Sequence, residues 1–132
     1  MYTFLSFIIK QDIMIEFTGH IQVTIVSQTS NVISGAGSYD FMADPFDFQP
    51  VPSDEDGGLL YNCDKTFVID TPSEEALSKF SIVRSCMVCL FGCNGTRYIV
   101  GTADIPARAL ISRHLNRAQL QIHCKMLKNP LG

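Results

Sequence analysis

The chain has 132 residues, of which 46% are apolar and 17% are charged, and nine are phenylalanine. This length matches about one domain and suffices to bury a core, while the composition argues against a disordered chain. The formal net charge of −3 excludes a strongly basic nucleic-acid binder, so we expect no nucleic acid as a partner.

Apolar runs at the start of the chain predict short strands. Phe4–Ile9 and Ile13–Phe17 are two such runs, so residues 1–19 are expected to be an N-terminal extension or an extra strand. From His20 to Gln28, apolar and polar residues alternate, which is typical of a half-buried strand.

The next third of the chain is more polar. Ser, Gly and Asn between Gln28 and Asp40 predict a loop, whereas Phe41–Val51 is predicted to be a strand that ends in prolines. An acidic turn or loop is expected at Ser53–Gly58, followed by a strand at Thr66–Ile69. The acidic residues of this loop are Asp54, Glu55 and Asp56.

One short helix is predicted near residues 72–80. Thr71 is the expected N-cap, Pro72 takes the first helical position, and Glu74 completes a capping box. The apolar face of this helix comprises Ala76, Leu77 and Phe80.

The last part of the chain predicts a β-hairpin and further strands. The runs Arg84–Phe91 and Arg97–Ile105 flank Asn94-Gly95, a pair that favours a tight turn. Leu120–Met126 alternates in the same way as the strand near His20. Short strands at this spacing predict an all-β, antiparallel sandwich with a single inserted helix.

Charge is unevenly distributed along the sequence. Ten of the thirteen acidic residues lie between Asp40 and Glu75, and six of the ten basic residues lie between Arg97 and Lys128. This pattern is consistent with two differently charged, solvated loops. It is also consistent with a surface that selects an oppositely charged partner or anionic lipid.

Five cysteines are an odd number, which favours a reducing, cytoplasmic compartment over a secreted domain. Cys86, Cys89 and Cys93, with His123-Cys124, could suggest zinc. Residues three apart on a strand point to opposite faces, however, so small buried hydrophobes are the better interpretation. We therefore expect no metal and no cofactor.

Enzymatic chemistry is not predicted. His20, His114 and His123 are not accompanied by a nucleophile motif, and Glu74-Glu75 is a helix start rather than a catalytic pair. Gly35-Ala36-Gly37 lacks the strand and helix that a phosphate-binding loop requires.

Two stretches carry a family resemblance. Ala43-Asp44-Pro45-Phe46 resembles the Asp-Pro-aromatic signature of C2 domains, and Phe91–Leu110 resembles their late strands, with Ile-Val-Gly followed by Ile-Pro and Leu. The order of motifs from Ile21 to Cys124 is most similar to C2 domains of the retinitis pigmentosa GTPase regulator-interacting protein family, which includes nephrocystin-8. The further matching segments are Phe46–Gln49, Tyr61-Asn62, Ser73–Phe80 and Ile99–Leu110.

This resemblance implies an eight-stranded C2-type β-sandwich over residues 20–128, with residues 129–132 as a tail. It further implies a scaffold module that binds proteins such as nephrocystin-4 at the ciliary transition zone or basal body.

The resemblance also permits a test of calcium binding, because calcium-dependent C2 domains gather carboxylates from two loops. In the second loop the acidic positions are occupied by Gly92, Asn94 and Arg97, whereas Asp44 alone is retained in the first loop. The domain is therefore expected to be calcium-independent.

Two functions follow. The first is a protein-interaction domain that binds through a strand edge or through the acidic loop. The alternative is a peripheral membrane module with a basic C-terminal surface. That surface would comprise Arg108, Arg113, Arg117, Lys125 and Lys128. Convergence of Arg113, Lys125 and Lys128 on one concave face would favour the membrane; scattering would favour the protein partner.

Overall fold

The computed structural model describes residues 15–26, 33–55, 58–102 and 104–131, so the predicted run Phe4–Ile9 lies outside the described residues. Antiparallel strands dominate these ranges, which confirms the all-β prediction. The strands are β1 Phe17–Val26, β2 Ile33–Met42, β3 Val51–Glu55, β4 Gly58–Asn62, β5 Lys65–Asp70, β6 Arg84–Gly92, β7 Arg97–Val100, β8 Ala107–Arg113, β9 Arg117–His123 and β10 Lys125–Met126. Helix α1, Glu74–Lys79, lies between β5 and β6.

Seven strands form one sheet and three form another. The larger sheet runs β2-β1-β6-β8-β9-β5, and β7 pairs with β6. Because β1 occupies one edge of β6, both β7 and β8 lie along its other edge. A bridge between Ala43 and Ile69 joins the end of β2 to β5, so the two outer strands of this sheet approach each other. The smaller sheet has the order β10-β4-β3.

Alternation along the strands places one face of the larger sheet in the core. In β6 the inward residues Cys86, Val88 and Leu90 are all at most 1% exposed. An aromatic cluster fills part of this core, with Phe17 stacked on Phe46 at 5.1 Å between ring centroids. Further members of the cluster are Phe48, Phe67 and Tyr98.

Two predictions from the sequence are wrong because backbone pairing overrides local composition. Residues 33–40 were expected in a loop, but they form most of β2 and pair with β1. Between the two strands, the part-buried hydroxyls of Thr24 and Ser38 lie 2.9 Å apart. Likewise, Ser53–Glu55 belongs to strand β3, where pairing with β4 satisfies backbone groups that a loop would leave to water.

Two predicted strands are shorter than expected. The strand predicted at Phe41–Val51 is wrong between Asp44 and Pro50, where the backbone is irregular and Phe48 nevertheless reaches the core. Strand β7 ends at Val100 rather than Ile105, because Gly101 has a φ of 91°. A residue with this conformation leaves the extended ladder.

Helix α1 is confirmed, but its predicted N-cap is wrong. Ser73, not Thr71, caps the helix, and its hydroxyl accepts a hydrogen bond from the Ala76 backbone N–H at 3.2 Å. The Thr71 hydroxyl instead donates to the carbonyl of Asn116. Phe80, which follows the helix, is fully buried and packs edge-on against Phe41.

The predicted β-hairpin is confirmed. Strands β6 and β7 pair around a turn in which Gly95 has a φ of 88°. A positive φ at this glycine is the conformation that an Asn-Gly pair favours in a tight turn.

Candidate functional site

The smaller sheet presents a strand edge that carries exposed apolar and acidic side chains. In β4, Tyr61 packs against the core, together with Met126 of β10. Two residues earlier, Leu59 is 50% exposed, and Val51 in β3 is 60% exposed. The β3–β4 hairpin therefore extends from the core into solvent.

Strand β3 lies at the end of this sheet. It pairs with β4 on one side, and no other strand in the described ranges pairs with its second side. Asp54, from the predicted acidic loop, is exposed on β3 opposite Leu59. The backbone of Glu55 ends the strand, and Asp56 lies outside the described residues. An exposed edge of this kind offers backbone groups to an added strand.

Asp44, which the C2 resemblance assigns to a first calcium loop, is bound by arginine. Its Oδ1 accepts a hydrogen bond from Arg117 Nη2 at 2.6 Å, and this bond raises the pKa of Arg117. Arg117 Nη2 also lies 3.4 Å from Asp70 Oδ1, while its Nε donates to the Ile69 carbonyl at 3.2 Å. A calcium ion at Asp44 would compete with this cation.

The second loop has no carboxylate between Gly92 and Arg97. The Gly92 N–H donates to the Thr96 carbonyl, and Asn94 Oδ1 accepts from the Thr96 N–H. Arg97 holds its guanidinium 5.4 Å from the centroid of the Phe91 ring. Throughout the described ranges, no group of three or more His, Cys, Asp or Glu side chains could hold a metal ion.

The basic residues do not converge. Arg113 and Arg117 lie at one end of the β8–β9 hairpin, and Arg113 is 3.9 Å from Glu74. Arg108 and His123 are paired near the other end, and Lys125 and Lys128 follow His123 in the chain. Strand β9 separates the two ends by roughly 20 Å, at about 3.3 Å per residue.

Three buried cysteines are poorly suited to chemistry at neutral pH. Burial raises the pKa of Cys63 and of Cys86 to about 12, and that of Cys124 to about 11. Thiols with such pKa values remain protonated and are weak nucleophiles and weak metal ligands. Cys93, in contrast, is exposed at the β6–β7 turn.

Sequence reasoning missed how the acidic and basic stretches meet. Strand β5 pairs with β9, which places Asp70 opposite Arg117. At the other end of the β5–β9 pairing, one residue further along each strand, Asp64 Oδ2 lies 3.5 Å from His123 Nδ1. The signal was present as two stretches of opposite charge, but only the strand pairing shows that they are neighbours.

Comparisons of the chain with protein-family models, with curated proteins and with solved structures found no match. Among the described residues, no helix is long and apolar enough to cross a membrane.

Proposed function

We propose that this chain is a calcium-independent protein-interaction domain of the C2 type, which serves in a ciliary or centrosomal scaffold and catalyses no reaction. The observation that carries the protein-interaction role is the outer edge of β3, on a hairpin that extends into solvent with Val51 and Leu59 exposed. The C2 type, the transition-zone location and a nephrocystin-4-like partner rest on the sequence resemblance.

Calcium independence is supported by the contacts of Asp44 and by the composition of the second loop. Arg117 already neutralises Asp44 at 2.6 Å, and Gly92, Asn94 and Arg97 supply no carboxylate. At the acidic positions that calcium-dependent C2 domains use, a hard cation that prefers six to eight oxygen ligands would find one carboxylate, which is already paired.

The membrane alternative is less well supported. Arg117 is engaged by two carboxylates, and Arg113 lies near Glu74, so these cations face acidic side chains. Lys128 lies beyond the opposite end of the β8–β9 hairpin. Binding to an anionic bilayer requires its cations on one face, because their attraction falls off within a Debye length.

A paired experiment tests this function. The purified chain is floated with anionic vesicles and, separately, measured against immobilised nephrocystin-4, each in calcium and in chelator. We expect equal nephrocystin-4 binding in both conditions and no flotation. Binding that needs calcium would overturn calcium independence. Flotation that is lost as salt rises, without protein binding, would establish the membrane alternative instead.

A further inference from the structure

The proline in strand β3 indicates which backbone groups of this strand face β4 and which face away from it. Pro52 lies in β3 opposite Tyr61 of β4, and proline has no N–H to donate. In an antiparallel pair, residues that exchange both hydrogen bonds alternate with residues that exchange none. Pro52 therefore fits a position whose backbone faces away from β4, with Val51 and Ser53 bonded to it.

A hydrogen bond on the other side of β4 independently gives the same parity, meaning the same alternation of residues whose backbone groups face β3 and residues whose backbone groups face away from it. The Cys63 N–H donates to the Cys124 carbonyl at 2.8 Å, towards the strand that continues into β10. Cys63 and Cys124 continue the register of Asn62 with Lys125, so Tyr61 also faces β10 and Asn62 faces β3. Asn62 is the partner of Val51, which agrees with the assignment from Pro52.

This parity defines what the edge of β3 offers. The outward backbone groups are the Pro52 carbonyl and the N–H and carbonyl of Asp54. The Asp54 side chain is exposed on one face of the strand, whereas Val51, three residues earlier, projects from the other face and is 60% exposed. An added strand would meet a carboxylate on one face and an apolar side chain on the other.

We propose that β3 binds an extended peptide segment in which lysine or arginine alternates with apolar residues. Its cation would lie beside Asp54, its apolar side chain beside Val51, and its backbone would pair with Pro52 and Asp54. Charge favours this partner over a second copy of the chain. A parallel pair of β3 strands would place the two Asp54 carboxylates side by side, and like charges in neighbouring strands are destabilising; a centred antiparallel pair would place Asp54 opposite Pro52, which has no N–H to donate. The inference rests on the proposed protein-interaction function and specifies its surface and partner chemistry.

The test uses the whole chain with two end-blocked octapeptides, one alternating lysine with valine and the other alternating glutamate with valine. Affinity is measured by fluorescence anisotropy, and the site is mapped by amide chemical shifts. We expect the lysine peptide to bind at least about tenfold more tightly, because the edge is acidic, and to shift amides within Val51–Asn62.

Variants separate the two contributions of Asp54. Asp54→Asn keeps the backbone donor and should weaken the lysine peptide by up to about fivefold, the range of a cross-strand charge pair. Asp54→Pro removes a backbone N–H that faces away from β4, so no hydrogen bond within the hairpin is lost. This variant should abolish peptide binding. Pro52→Ala adds an outward donor and should strengthen binding. Asp47→Asn, which neutralises another exposed carboxylate outside β3, is the matched control and should bind as the unaltered chain does.

Several results would overturn the inference. They are equal binding of the two peptides, amide shifts outside the hairpin, unchanged binding by both Asp54 variants, or dimerisation through β3 in sedimentation. If Asp54→Pro still binds nephrocystin-4, the proposed function stands and the surface assignment fails. If the lysine peptide binds as expected but nephrocystin-4 does not, the edge inference stands and the scaffold partner is wrong.

Discussion

At the residue scale, Gly101 combines a left-handed backbone with close packing. Its φ is 91°, and a Cβ added there would lie 2.6 Å from the Ala107 nitrogen and 3.2 Å from the Cys86 carbonyl oxygen. Gly95 has a similar φ of 88°, but no atom lies within 4 Å of its added Cβ. We expect Gly95→Ala to cost about 1 kcal/mol and Gly101→Ala about 3 kcal/mol in urea unfolding. Equal costs would mean that conformation alone explains both glycines.

Arg117 contacts two carboxylates and one backbone carbonyl. Arg117→Met removes the bonds to Asp44 and to the Ile69 carbonyl, while the thioether chain keeps much of the packing. The guanidinium is partly exposed, so we expect a small loss of unfolding free energy, which 1 M salt should reduce. Arg113→Met is the matched control: its 3.9 Å contact with Glu74 is solvent-exposed and should contribute less than about 0.5 kcal/mol. A loss from Arg113→Met as large as that from Arg117→Met would contradict this ranking.

At the element scale, the six-residue helix α1 depends on its cap. Ser73→Ala leaves the Ala76 N–H without its side-chain acceptor and should cost about 1 kcal/mol of unfolding free energy. Ser73→Asp keeps an acceptor beside the same N–H and should retain the stability of the unaltered chain. Thr71→Ala tests the cap that the sequence suggested. If it proves more costly than Ser73→Ala, the assignment of the cap to Ser73 is wrong.

Elements whose own residues carry the pattern could be predicted, and elements that depend on a neighbour could not. The alternation in β1 and the Asn94-Gly95 turn are local signals, and both were found. Strand β2 contains glycines and serines that individually disfavour strands. Its stability depends on pairing with β1, and nothing within its own residues indicates that pairing. Strand β3 was hidden in the same way, because three consecutive acidic residues at its end are typical of a loop.

At the scale of the whole molecule, the candidate site illustrates the same limit. Asp54 and the prolines can be read from the sequence. Whether their strand lies at the edge of a sheet depends on how the other strands pair, and only the order β10-β4-β3 shows that β3 is an edge strand. The uneven charge also changes meaning in the fold. Asp70 and Arg117 belong to stretches that look like separate charged loops, and the pairing of β5 with β9 makes them contacts within the protein.

The buried thiols make the stability of the fold depend on pH in the alkaline range. An exposed thiol loses its proton near pH 9, whereas burial raises the pKa of Cys63 to about 12. Between these values the unfolded chain has released a proton that the folded chain keeps. Stability is therefore fully present below about pH 9 and falls as pH rises towards the folded value. Each such thiol contributes on the order of 1.4 kcal/mol per pH unit in this window.

Substitution isolates this effect from the lysines and tyrosines that also titrate there. Urea unfolding under reducing conditions at pH 8 and pH 10 should show a smaller loss of stability with Cys63→Ala than with the unaltered chain. Cys93→Ala is the control, because its thiol meets solvent in both states, and it should keep the full loss. Cys63→Ala lowers stability at both pH values through the cavity it leaves, so the difference between the two pH values is the quantity to compare. If that difference is the same in Cys63→Ala and Cys93→Ala, the Cys63 thiol ionises as readily in the folded chain as in the unfolded one.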